Sequence, residues 1–228
     1  MLYPIKFTPT KIYFPMEIQK QNYIWHTRFF LILFYSVGIA GFSLPLTHDL
    51  FQQLVPLNLL VSALLLFAYH TPWKMKHVGV MFAIAAAGFF AEMVGTRTGL
   101  IFGNYSYGEA LGLKLFSTPL LIGLNWLLLV YSVFGLFPGL HQHRIFPLIG
   151  ASVLVIFDVV MEPVAIATNM WSWEGGPVPL QNYVAWFVIA SVMIFVLQRS
   201  RIAGKNPISA WLFSIQFIFF LILNFILT

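Results

Sequence analysis

The chain has 228 residues, of which 60% are hydrophobic and only 8% charged, with a formal net charge of +5. A soluble domain carries roughly 25% charged residues, so the composition excludes one and points to an integral membrane protein. The absence of cysteine excludes disulfides, thiolate catalysis, iron–sulfur clusters and cysteine-ligated zinc, while basic residues that form no run argue against a nucleic-acid partner.

Residues 1–27 read as a basic interfacial segment, and 28–228 as a single transmembrane helical domain. Seven apolar stretches, near 28–45, 54–71, 77–95, 118–137, 145–167, 180–198 and 207–227, are each long enough to cross a bilayer. The first has no convincing small-x-small cleavage site and reads as a retained anchor. The expected fold is therefore all-α, a polytopic membrane helix bundle of about seven transmembrane helices. Ten of the twelve Lys and Arg residues fall on one side if the N-terminus is inside: Lys6, Lys11, Lys20, Arg28, Lys74, Lys76, Arg144, Arg199, Arg201 and Lys205. Only Arg97 and Lys114 fall outside, and the positive-inside rule gives N-in/C-out. That orientation brings Glu92, Asp158, Glu162, Asn125, Trp126, Asn182 and Trp186 to one level, in the outer half of the membrane.

The third span ends in Glu92, after small residues at Ala85 and Gly88 and before Gly95, a spacing that lets another helix approach closely. The loop that follows is rich in glycine (Gly99, Gly103, Gly108) and carries Tyr105-Ser106-Tyr107; Pro119 then opens a helix with Asn125-Trp126. The fifth span carries Asp158 and Glu162 four residues apart, on one helix face. Its loop carries Trp171-Ser172-Trp173, and Pro179 opens a helix with Asn182 and Trp186. The two stretches share a grammar, read as a weak internal repeat of parallel topology with one Glu per half. His141 and His143 lack the repeated spacing of a membrane di-iron site and read as loop residues. His26, His48, His70 and His77 flank spans and read as interfacial.

An ionisable group in the bilayer costs on the order of 3 kcal/mol, so three carboxyls there mark a site. Two on one face cannot both ionise cheaply; one holds a proton, giving a general acid beside a general base. Tyr105, Tyr107, Trp126, Trp171, Trp173 and Trp186 offer π faces that stabilise a neighbouring cation. Acid, aromatic walls and apolar surroundings suit protonation of an alkene, a step that needs neither metal nor redox cofactor. The same residues are also compatible with a cyclase sharing that step, a proton-coupled transporter, or a structural subunit of a pigment-assembly complex.

Glu92-x-x-Gly95-Thr96-x-Thr98-Gly99-x-x-Phe102-Gly103-x-Tyr105-x-Tyr107, Asp158-x-x-x-Glu162-Pro163-x-Ala165 and Trp171-x-Trp173 together resemble the carotenoid 1′,2′-hydratase family, membrane proteins of carotenoid biosynthesis. The resemblance covers roughly residues 77–190 and departs from the pattern at Ala185 and at Gly175-Gly176-Pro177. It implies cofactor-free addition of water to the terminal 1′,2′ double bond of an acyclic carotenoid end group, in a bacterial inner membrane, with a lipid-soluble carotenoid as substrate and lipid as surroundings. Under it Asp158, Glu162 and Glu92 are the catalytic carboxyls, with the donor among them left open. Tyr105, Tyr107, Trp126, Trp171, Trp173, Asn182 and Trp186 bind substrate, and Thr96, Arg97 and Asn125 support the site, Thr96 and Arg97 by holding Glu92. No metal is implied and no oligomeric state.

Overall fold

The structure, a computed structural model, describes residues 15–202 and 206–228, without the side chains of 15–22. Most of the expected basic segment 1–27, with the side chains of Lys6, Lys11, Lys20 and Lys205 that enter the charge asymmetry, lies outside the described residues. The described chain is helical, in the order α1 (Pro15–Ser43), α2 (His48–Gln53), α3 (Val55–Ala68), α4 (Met75–Thr98), α5 (Leu121–Leu136), α6 (Phe146–Ala167), α7 (Leu180–Ser200) and α8 (Ser209–Leu227). Four very short strands sit in the connections: β1 (Tyr105–Tyr107), β2 (Lys114–Leu115) and β3 (Thr118–Pro119) between α4 and α5, and β4 (Trp171–Trp173) between α6 and α7.

Among the described residues, five helices are long and apolar enough to cross a membrane: Tyr23–Ser43 within α1, then α4, α6, α7 and α8. The stretches expected to span at 54–71 and 118–137 form shorter helices, α3 of 14 residues and α5 of 16. At 1.5 Å per residue these are about 21 and 24 Å long, less than the roughly 30 Å of hydrocarbon. The sequence explains both. The chain before α3 turns through α2, with Pro56 in the first turn of α3. The chain before α5 is drawn into the β2–β3 hairpin by the pairing of Leu115 with Thr118.

Short α5 is the hub of the bundle. Every residue from Trp126 to Phe134 is buried, as expected for a helix apolar on all sides. It packs on α4 and α8, while α6 packs on α7 and α8, and α8 also lies along α1. Close approach of α4 and α5 depends on missing side chains. A Cβ on Gly123 would lie 2.3 Å from the carbonyl oxygen of Ala85, and one on Gly88 would lie 2.7 Å from Cβ of Trp126. Pro163 sits inside α6, where it removes one backbone hydrogen bond just past Glu162. In that loosened region Asn224 of α8 donates to the carbonyl of Val160 at 3.0 Å.

Candidate active site

The two aromatic triplets find each other. β1 and β4 pair antiparallel, with Tyr105 opposite Trp173, Ser106 opposite Ser172 and Tyr107 opposite Trp171. Alternation along a strand sends the serines to the exposed side and all four rings to the other. The rings interlock there: Tyr105 and Trp173 have centroids 4.9 Å apart, Tyr107 and Trp171 6.1 Å apart. Gly108 continues the ribbon, its N–H donating to the carbonyl of Met170 at 2.9 Å.

Beneath the rings lie the three carboxyls, all buried. Glu92 accepts from both tyrosine hydroxyls at Oε2, Tyr107 at 2.8 Å and Tyr105 in a short contact, and from Trp126 Nε1 at Oε1, 2.8 Å. Burial first, and then the adjacent Glu92, push the phenol groups of Tyr105 and Tyr107 up, so both keep the protons they donate. Glu162 accepts at Oε2 from Trp171 Nε1 at 2.9 Å and Trp173 Nε1 at 3.0 Å. Asn182 of α7 donates to Asp158 Oδ2 at 2.7 Å and, more weakly, reaches Glu162 Oε1 at 3.5 Å. Among these six carboxyl oxygens Asp158 Oδ1 alone has no partner. Trp126 and Trp186 stack with centroids 4.2 Å apart.

Two cavities meet at this point. A niche of about 20 Å³ is bounded by Glu92, Asp158, Glu162, Asn182, Trp173 and Trp186, among others. That is room for one water molecule. Beside it lies a cavity of about 230 Å³ walled mainly by apolar side chains of α1, α3, α5, α6 and α8. The two share Ile122, Asn125, Met161 and Trp171 as walls. The larger is below the 300–1,000 Å³ of a typical drug-sized site, so it suits one end of a long hydrocarbon rather than the whole.

The structure brings Glu92, Asp158, Glu162, Tyr105, Tyr107, Trp126, Trp171, Trp173, Asn182 and Trp186 into one cluster, with Asn125 on the wall between the cavities. It does not bring Arg97 there. Arg97 is exposed with its guanidinium 4.7 Å from the centroid of Phe116, because a long cationic side chain near a helix end reaches outward to the interface. Thr96 touches Glu92 only through the backbone, donating to its carbonyl at 3.0 Å, and contacts Thr118 Oγ1 at 3.2 Å. The three donors described above hold the Glu92 carboxylate instead. Among the described residues no set of three or more His, Asp or Glu is arranged to hold a metal.

Sequence reasoning missed two features. The larger cavity is built from phenylalanines of α1, α6 and α8, including Phe34, Phe42, Phe157 and Phe219. The polar residues Asn58 and Gln216 in apolar helices were its available signal. Second, His70 and His77, expected to flank spans, are bonded to each other. Both are buried, His70 bonding Tyr131 at 2.8 Å and His77 at 3.1 Å, with Asn206 Nδ2 3.4 Å from Tyr131. Their burial follows from the packing of Trp73 on His70 at 4.6 Å and of Tyr131 on the same ring.

Comparison with known proteins shows the family. A profile of the family described as "Carotenoid biosynthesis protein" matches residues 54–228. A bisanhydrobacterioruberin hydratase of Haloarcula japonica is 32% identical over 127 residues, covering 50% of this chain and 42% of that protein. The chain thus matches less than half the length of that relative. No solved structure matches it.

Proposed function

The chain belongs to the carotenoid biosynthesis protein family, and on that premise we propose that it adds water to the terminal 1′,2′ double bond of an acyclic carotenoid end group, as a hydro-lyase of the cytoplasmic membrane. One observation carries the reading. A polar niche with room for a single water adjoins an apolar cavity sized for a hydrocarbon end. A cyclase would fold its chain back on itself and has no use for a water-sized niche.

In this mechanism the end group lies in the apolar cavity with its double bond toward Asn125 and Trp171. Asp158 is the donor, because its Oδ1 is the carboxyl oxygen left without a partner. Its proton moves to C2′, the C1′–C2′ π bond breaks, and a tertiary cation forms at C1′. The indole of Trp171 and the neighbouring rings stabilise that cation by up to about 2 kcal/mol each when desolvated. The niche water adds to C1′ and returns one proton to the Asp158–Glu162 pair, so the enzyme ends as it began. Glu162, steadied by two indoles, accepts or relays that proton, and Glu92 positions the tyrosine and tryptophan donors around the niche. The reading includes seven crossings in an N-in/C-out arrangement, with short α3 and α5 embedded among longer neighbours.

A proton-coupled transporter would need a polar route from the carboxyls to the His70–His77–Tyr131 cluster. Between them on α5 lie Leu127, Leu128, Leu129 and Val130, all buried. This apolar layer favours the hydratase. Expression in a bacterial host that accumulates lycopene and gamma-carotene, followed by pigment mass spectrometry, tests it. Hydration yields a more polar pigment, heavier by one water, with an unchanged visible spectrum. A product of unchanged mass would assign a cyclase, and unaltered pigment of every acyclic type would remove the catalytic reading.

A further inference from the structure

The niche and the larger cavity meet along four side chains that line both, Ile122, Asn125, Met161 and Trp171. A water on one side of this boundary must reach a carbon on the other, so the groups standing there govern the capture step. Ile122 and Met161 offer no strong hydrogen-bonding atom. Trp171 commits its one side-chain donor to Glu162 Oε2, at 2.9 Å. Asn125 differs from these three. It lies in α5 between fully buried neighbours, is itself half-buried, and among the described residues none hydrogen-bonds to its amide. Asparagines that tie helices together look different in this molecule: Asn182 donates to Asp158 Oδ2 at 2.7 Å, and Asn224 to the carbonyl of Val160 at 3.0 Å. The Asn125 amide, with two N–H donors and a carbonyl acceptor, joins nothing and faces both compartments.

We propose that Asn125 is the positioning residue for the attacking water: its amide bonds the niche water at the mouth of the apolar cavity and so decides whether the cation is captured or collapses back to an alkene. The inference rests on the reading of the site as a hydratase. A water held in a niche needs two or more polar partners. Asn125 supplies one on the cavity side, the carboxyl side supplies the rest, and a lone pair of the water is left aimed at C1′. The bond from water oxygen to C1′ then forms as one water proton passes to the carboxyl pair. Without a held water the cation has another exit. It returns a proton to the Asp158 carboxylate, from C2′ or from a methyl group on C1′, and the electrons of that C–H bond re-form a double bond in a product of unchanged mass. Asn125 therefore acts after protonation, which separates its role from that of Asp158.

The test is to incubate membranes containing the full chain with an acyclic carotene in deuterium oxide, and to weigh both the hydrated pigment and the carotene recovered unhydrated. In the wild type, deuterium is expected in the hydrated pigment at C2′ and little in the recovered carotene. Asn125→Leu replaces the amide by a branched apolar group. It should lower hydration about a hundredfold, as misplacement of a reactant does, while the recovered carotene gains carbon-bound deuterium. That gain requires the end group to be bound and protonated, so a merely structural amide would not produce it. Asn125→Ser, whose hydroxyl keeps one bond to the water, should show the same pattern to a smaller extent and serves if Asn125→Leu does not fold. Hydration at the wild-type rate in a folded variant, or hydration and deuterium uptake falling together, would overturn the proposal. If the wild type itself neither hydrates nor exchanges any acyclic carotene, the hydratase reading fails with it; if the wild type hydrates and the variant matches it, only the role of Asn125 fails.

Discussion

The halves around Glu92 and Glu162 begin from similar sequence and end in different chemistry. Each has a glutamate on an apolar helix, an aromatic-Ser-aromatic strand, and a proline-led helix with a tryptophan seven residues on. The strands pair, and the tryptophans stack on each other. Four residues before the glutamate the halves diverge. The first has Gly88, and the ring of Trp126 occupies the space a side chain would need; the second has Asp158, faced by Asn182. As a result Glu92 has both oxygens engaged by three donors, whereas Asp158 keeps one oxygen free. On the proposed mechanism, one half holds the site in shape and the other offers the group that reacts.

The sharpest way to break this division is Asp158→Asn. The amide fits the same space, so the protein is expected to stay folded in the membrane while hydration falls about a thousandfold or more, within the range for loss of a general acid. Glu92→Gln should behave differently. Its NH2 end faces a donor, tyrosine or tryptophan, so the variant loses about a hundredfold in rate through misplacement of the ring cluster. Its thermal midpoint falls as well, which Asp158→Asn does not show. If Glu92→Gln were stable and dead while Asp158→Asn stayed active, the two roles would be exchanged.

A smaller effect is expected from Gly88→Ala. The added Cβ must displace Trp126, costing about 1–3 kcal/mol as overpacking does. Rate and thermal midpoint should both drop moderately, with the product unchanged. The smallest expected effect lies far from either carboxyl cluster. Burial, and then His77, pull the His70 imidazole down from its usual value. The unfolded chain therefore binds a proton at about pH 6.5 that the folded chain refuses. His70 costs nothing above that pH, and stability declines as the pH falls through 6.5 toward the folded value. Thermal midpoints measured from about pH 7.5 to 5.5 should fall in the wild type and fall less in His70→Gln.

Much of this site was legible in sequence because carboxyls are rare in apolar helices and helical spacing is local. Asp158 and Glu162 share a face by arithmetic alone, and the Tyr-Ser-Tyr and Trp-Ser-Trp triplets stand out as alternating aromatic patterns. That they pair with each other, and in which register, was not legible, since pairing across 66 positions depends on where the bundle places the ends of α4 and α6. The lengths of α3 and α5 were hidden because apolar or aromatic residues run past the helix ends, at Tyr69 after α3 and Leu120 before α5. The apolar cavity could not be read from any one helix, as it is the space left between phenylalanines of α1, α6 and α8. Arg97 was assigned to Glu92 by sequence proximity, yet at five positions apart along a helix the two side chains diverge, and the cation reaches the interface.

The most direct test of the division of labour is to supply membranes containing the wild type or Asp158→Asn with an acyclic carotene in water enriched in oxygen-18, and weigh the pigment. A polar product from the wild type carrying one labelled oxygen, absent from Asp158→Asn, is expected if Asp158 protonates the alkene and the niche water captures the cation. A product with no label, or the same labelled yield from both proteins, would contradict it.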